Sequence, residues 1–158
     1  MREITLTYPQ QLFKLWKAGQ VHRVWFWEYE ELFDQSDLSV IRNQYWRGHH
    51  FGEWFTAIHF WKKGYKVLIE KYAFRKHKKH FASAVEVVGK DGMEFLARHA
   101  RSVAQPPDLL VFDPDARFYF FAEIKRERDR MREKQARFFQ ELEKKLGCQV
   151  LVVNLKAR

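Results

Sequence analysis

The pattern of apolar and polar positions resolves most of the second half of the chain into elements. Between Pro107 and Pro114 the run Leu-Leu-Val-Phe is unbroken by polar residues, which predicts a short buried strand over Asp108–Asp113 bounded by turn residues. Asp113-Pro-Asp-Ala-Arg117 reads as a turn, and Phe118-Tyr-Phe-Phe-Ala-Glu-Ile-Lys125 as an aromatic-rich second strand, so the two predict a hairpin. From Arg130 to Leu146 the repeat lengthens: Met131, Gln135, Phe138 or Phe139, Leu142 and Leu146 recur at helical spacing, with Gly147 as the C-cap. Cys148 to Leu155 returns to a strand, and a strand, helix, strand crossover predicts a parallel pair.

The first half is less regular. Tyr8 to Lys17 has amphipathic helical spacing, and Val24 to Phe33 is so aromatic that it reads first as core, next as an oligomer interface and last as a surface that stacks on unpaired bases. Gly89 to Arg101 predicts a helix with Met93, Leu96 and Ala97 or Ala100 on its apolar side, an insertion over one sheet edge, with Arg98, His99 and Arg101 as surface residues.

Composition narrows the class. At 158 residues, 46% hydrophobic and 17% aromatic, the chain is long enough for one packed core, and no repeat or low-complexity tract divides it. No apolar stretch approaches the length needed to cross a bilayer and no signal-peptide pattern opens the chain, so a soluble, cytoplasmic protein with no membrane partner is expected. Cys148 is the single cysteine, which excludes an intrachain disulfide and reads as a buried thiol.

Charge is concentrated rather than spread. Residues 62–80 hold eight basic residues against one acidic residue, Glu70, so +7 of the formal net +9 lies there, whereas the first fifty residues carry six of each sign. Lys62, Lys63, Arg75, Lys76, Lys78 and Lys79 are therefore expected to contact a nucleic-acid backbone, the Arg75–His80 run from a loop or strand end after the first core strand. His77 and His80 would add charge at lower pH and are not expected to bind metal. His49 and His50, with Arg47 nearby, suggest zinc only weakly, because the other donors are hard oxygens; a surface or substrate-contacting role is expected.

The chemistry lies in Asp108, Glu123 and Lys125. At one end of neighbouring hairpin strands, the two carboxylates can converge on a hard cation, Mg²⁺ or Mn²⁺, that polarises a phosphodiester. Lys125, two residues on, shares the sheet face of Glu123 and could hold the attacking water. Ile124 turns its side chain into the core and leaves its carbonyl as a further ligand. Taken singly, Asp108 could be a strand cap, Glu123 and Lys125 a surface ladder pair, and Gln135 an exposed helix residue.

Taken together, Pro107-Asp108 followed by Glu123-Ile124-Lys125 resembles the PD-(D/E)XK nuclease superfamily, and the further spacing resembles its VRR-NUC branch. Asp129, Gln135 and Phe138 follow Lys125 at that branch's intervals, then Leu146-Gly147 and a strand at Val150–Val153. An earlier helix of Gly52-Glu-Trp-Phe-Thr-Ala-Ile-His-Phe-Trp-Lys-Lys-Gly64, leading into a strand over Tyr65–Tyr72, matches the branch's first elements and makes Glu53 an additional ligand by analogy. Three positions depart from the pattern: Pro106, Phe138 and Arg126, the last standing where glycine is common.

The resemblance implies a restriction-endonuclease-like α/β core, a mixed central sheet flanked by helices over residues 48–158, with residues 1–47 a mostly helical extension packed against it in a single compact unit. It implies a metal-dependent endonuclease acting on DNA, with branched DNA such as a four-way junction as substrate and a homodimer as the expected assembly. The metal shell would be Glu53, Asp108, Glu123 and the Ile124 carbonyl, and the catalytic set Asp108, Glu123, Lys125 and Gln135. The competing readings are a catalytically inactive nucleic-acid-binding module of the same fold, a restriction-like, flap-directed or single-strand-directed nuclease, and RNA cleavage.

Overall fold

In the computed structural model, which describes residues 1–69, 71–102, 105–115 and 117–158, two-residue periodicity organises the chain from its start. Ile4, Leu6 and Tyr8 alternate with Thr5 and Thr7, and they form strand β1 (Arg2–Tyr8). Helices α1 (Gln10–Lys17), α2 (His22–Glu28) and α3 (Gln35–Ile41) and a 3₁₀ turn at Tyr45–Arg47 complete the N-terminal extension. The extension thus contains the expected helix near Tyr8–Lys17, but its first residues are sheet rather than helix.

The core follows as α4 (Phe51–Lys62), β2 (Lys66–Ile69), α5 (Lys78–Val88), α6 (Lys90–Ser102), β3 (Leu109–Phe112), β4 (Tyr119–Arg126), α7 (Glu133–Leu146) and β5 (Gln149–Ala157). Glu70, in the expected first core strand and its charge count, and Arg101's side chain lie outside the described residues. The strands form one mixed sheet in the order β1-β5-β4-β3-β2. The β2/β3 and β3/β4 pairs are antiparallel, the latter being the expected hairpin; β4/β5 and β1/β5 are parallel.

Side-chain alternation sorts the strands onto two apolar layers. Phe120, Ala122 and Ile124 of β4, with Leu109, Val111, Leu151, Val153 and Leu155, face α4 and the extension, where Trp16, Phe51 and Trp54 are buried. Phe121, Leu110, Phe112 and Val150 face the other way, onto Phe138, Phe139 and Leu142 of α7 and Met93 and Leu96 of α6. Both faces of the central strands are covered, as their near-continuous apolar runs require. Helix α7 ends on Gly147 at φ 62°, ψ 29°, a left-handed cap that glycine adopts without Cβ strain.

Two helices hold their places for identifiable reasons. Helix α3 starts with a capping box in which Asp34 accepts from Asp37 N and Asp37 accepts from Asp34 N. Helix α4 lies unusually close to the sheet: a Cβ on Gly52 would fall 2.9 Å from Ile124 Cγ2 and 3.2 Å from Arg126 Cδ. Only a residue without a side chain allows that approach. The segment Arg75–His80, expected as loop or strand end, instead turns at Arg75–His77 and opens α5 at Lys78.

Candidate active site

Where β3 and β4 part company, their last register pair is Leu109 with Ala122, which leaves Asp108, just before β3, beside Glu123, within β4. Asp108 N donates to Glu123 Oε2 at 3.2 Å, and Ile124 N donates to Asp108 Oδ2 at 2.9 Å. Because the N–H and C=O of one strand residue point to the same side, the Ile124 carbonyl also opens toward Asp108. Its side chain is buried on the face toward α4, as expected.

Glu123 is 4% exposed. Its Oε1 accepts from Lys125 Nζ at 3.0 Å and from Gln135 Nε2 at 2.8 Å, and Gln135 Oε1 accepts from the same Lys125 Nζ at 3.1 Å. The three side chains therefore close a triangle between β4 and α7. Burial pushes the Glu123 carboxyl above its usual range, while Lys125, the Asp108 amide and Gln135 pull it back only in part. Tyr72, fully buried below, donates to Pro107 O at 2.7 Å and fixes the turn into β3; burial, then Asp108 and Glu123, push its hydroxyl well up.

On the other side of these residues lies a cleft of about 410 Å³, lined by Asp108, Ile124 and Arg126 from the sheet edge, by Glu53 in the first turn of α4 and by His49 and His50 before it. His50 caps α4 with φ 69° and pairs through Nε2 with Gln44 Oε1 at 2.6 Å. Glu53, Asp108 and Ile124 share this cleft while Glu123 faces Lys125 and Gln135, and among the described residues Glu53, Asp108 and Glu123 do not come close enough together to form a three-carboxylate metal group.

The expected backbone-contacting residues disperse. Lys62 and Lys63 close α4 at the end away from Glu53, next to Lys66, whose register partner Phe112 lies at the far end of β3 from Asp108. Arg75, Lys76, Lys78 and Lys79 are exposed on the turn before α5 and on its first residues. Of the lysines in that run, Lys71 is the one that lines the cleft, with φ 38° and its ammonium 5.3 Å from the Phe74 ring centroid.

Two features escaped the sequence. Arg126 lines the cleft; its departure from the glycine of the family pattern was visible, but what would surround it was not. Asp34, Asp37 and His80 bring one donor atom each within 4.8 Å of one another, a group able to hold a metal ion, in contrast to the expectation for His80. His80 is 7% exposed and its Nε2 lies 3.0 Å from Asp34 Oδ2. Only the fold brings α3 and α5 together, so no spacing along the chain could have revealed this group.

Among the described residues no helix is long and apolar enough to cross a membrane. The family model described as the VRR-NUC domain matches residues 54–157. No curated protein matches the chain.

Proposed function

Because the chain belongs to the VRR-NUC domain family, a PD-(D/E)XK-like nuclease family, we propose that it hydrolyses DNA phosphodiester bonds with a divalent cation, Mg²⁺ or Mn²⁺, held by Asp108, Glu123 and the Ile124 carbonyl with Glu53 in support. One observation carries this reading. Asp108 and Glu123 meet where two strands diverge, with Lys125 and Gln135 bonded to the same carboxylate oxygen.

A bound divalent ion supplies Lewis acidity toward the phosphate and acidifies a water. The protein's own residues do the rest. Asp108 presents its acceptor oxygens from the entry to β3 and Glu123 from within β4, which keeps the donor geometry fixed before substrate arrives. Lys125 places a cation where negative charge grows on the phosphoryl oxygens, and Gln135 keeps that ammonium on the Glu123 side of the site. Burial raises the Glu123 carboxyl, but the Asp108 amide, Lys125 and Gln135 all donate to its oxygens and favour the ionised form that a cation binds.

The finer reading is a structure-specific endonuclease that acts as a homodimer on branched DNA. The test is to incubate the protein with labelled single-stranded, duplex, flap and four-way-junction DNA in Mg²⁺, Mn²⁺ or EDTA, beside Asp108→Ala and Lys125→Ala. Cleavage that needs metal and disappears in both variants is expected, with the junction cut fastest and a dimeric mass in solution. DNA binding without cleavage in any metal would leave a binding module of this fold.

A further inference from the structure

Arg126, the last residue of β4, sits in an aromatic cage built by the N-terminal extension and the start of α4. Its guanidinium carbon lies 3.9 Å from the Phe13 ring centroid, 5.6 Å from Tyr8 and 5.5 Å from Phe51. Its terminal nitrogens reach two neutral oxygens, Gly48 O and Tyr8 Oη, both at 3.4 Å, longer than an ordinary N–H···O bond. Nε is buried with no partner, and among the described residues no carboxylate pairs with this cation. Tyr8 gives its own proton to Glu127 Oε1 at 2.7 Å, which leaves its oxygen turned to Arg126 as acceptor.

A half-buried guanidinium without an anion is costly unless its partner arrives from outside. The rings compensate in part and also fix the plane of the fork. Arg126 lies on the cleft wall with Asp108 and Glu53, and one strand repeat, about 6.8 Å, beyond Ile124 on the same sheet face. Carboxylates at one point of the cleft and an unneutralised fork a short step away match a chain of phosphates, one at the metal and the next at the arginine.

We infer that Arg126 binds a backbone phosphate of the nucleic acid next to the one being hydrolysed, and that Tyr8 and Phe13 of the extension hold the guanidinium for that contact; the inference rests on the nuclease reading above. The extension is therefore part of the substrate site. Gly48 is part of the same construction, since a Cβ there would lie 2.6 Å from Phe13 Cζ.

The test compares wild type, Arg126→Gln and Arg126→Lys by fluorescence anisotropy with labelled single-stranded and duplex oligonucleotides in EDTA, over a salt series, and by steady-state cleavage in Mg²⁺ or Mn²⁺. Arg126→Gln should weaken binding and raise KM roughly tenfold, with kcat changed less. It should also flatten the slope of log K against log salt by about one phosphate contact, roughly 0.7 to 0.9. Arg126→Lys, which keeps the charge but loses the fork, should restore the slope and only part of the affinity, and it carries the test if the glutamine variant does not fold. A lower melting temperature with wild-type affinity and salt slope in both variants would overturn the inference and make Arg126 a packing strut. Wild-type protein that binds DNA but cuts none, with the slope still reduced in Arg126→Gln, would refute the nuclease reading and leave the phosphate contact standing.

Discussion

Replacing Gly52 with alanine tests whether the close seat of α4 on β4 sets the active-site geometry. The added methyl would stand 2.9 Å from Ile124 Cγ2 and 3.2 Å from both Arg126 Cδ and Leu155 Cδ1. None of these neighbours can simply swing away: Ile124 and Leu155 are in the core, and Arg126 is stacked among rings. Overpacking of this kind costs about 1–3 kcal/mol. Alanine's better helix propensity returns at most about 1 kcal/mol, and less in a first turn. The net is a destabilisation of about 1–2 kcal/mol, which for a domain of this size lowers the melting temperature by about 2–8 °C. Function should suffer too, because Glu53 follows Gly52 directly in that first turn. A 1 Å misplacement costs on the order of 100-fold in rate, so a shift of a few tenths of an ångström corresponds to a loss of roughly several-fold. Thermal denaturation and metal-dependent cleavage of the same preparation read both effects. A variant that melts at or above the wild-type temperature and cleaves at the wild-type rate would refute the argument.

Two further perturbations address charge. Gln135→Leu removes a hydrogen bond that holds Glu123's pKa down, so the carboxyl rises further and the acid limb of the cleavage profile moves to higher pH; an unshifted limb would mean Gln135 does not govern Glu123. Asp34→Ala removes the cap of α3 and the nearer of two carboxylates beside His80, at about 1 kcal/mol or more. Burial raises the Asp34 carboxyl, but its bonds to Ser36 and Asp37 and the nearby His80 outweigh that and leave it depressed. The stabilisation is thus present above the ordinary value of 3.8 and fades as pH falls through the depressed one, so wild-type and variant melting curves should converge only in that acid range. Convergence already near neutral pH would contradict it.

The sheet's centre and the carboxylates were legible because both rest on local signals. The run Leu109–Phe112 between prolines, the alternation of Glu123, Ile124 and Lys125, and the repeat ending at Gly147 each declare an element within a few residues. Strand β1 carries a weaker signal of the same kind, because Ile4, Leu6 and Tyr8 are only three alternating positions and the helical repeat of α1 begins directly after them. Helix α5 was hidden by its own charge, since Lys78, Lys79 and His80 at its start resemble a solvated loop. The Arg126 cage and the Asp34, Asp37 and His80 group join residues more than forty positions apart, and no periodicity encodes such meetings.

The pairing of β1 with β5 has a consequence for how the molecule comes into being. Arg2 lies opposite Leu151 and Tyr8 opposite Ala157, so β1 finds its sheet partner in a strand far along the chain, beyond every other element of the sheet. Contacts of such sequence separation close slowly and late. Until they do, Tyr8 is not in place beside Arg126, and that arginine of the cleft wall lacks one of the rings that hold it. A chain whose β1 has not yet docked can therefore bring Asp108, Glu123 and Lys125 together and still lack the support of Arg126, so competence arrives with the pairing of β1 and β5.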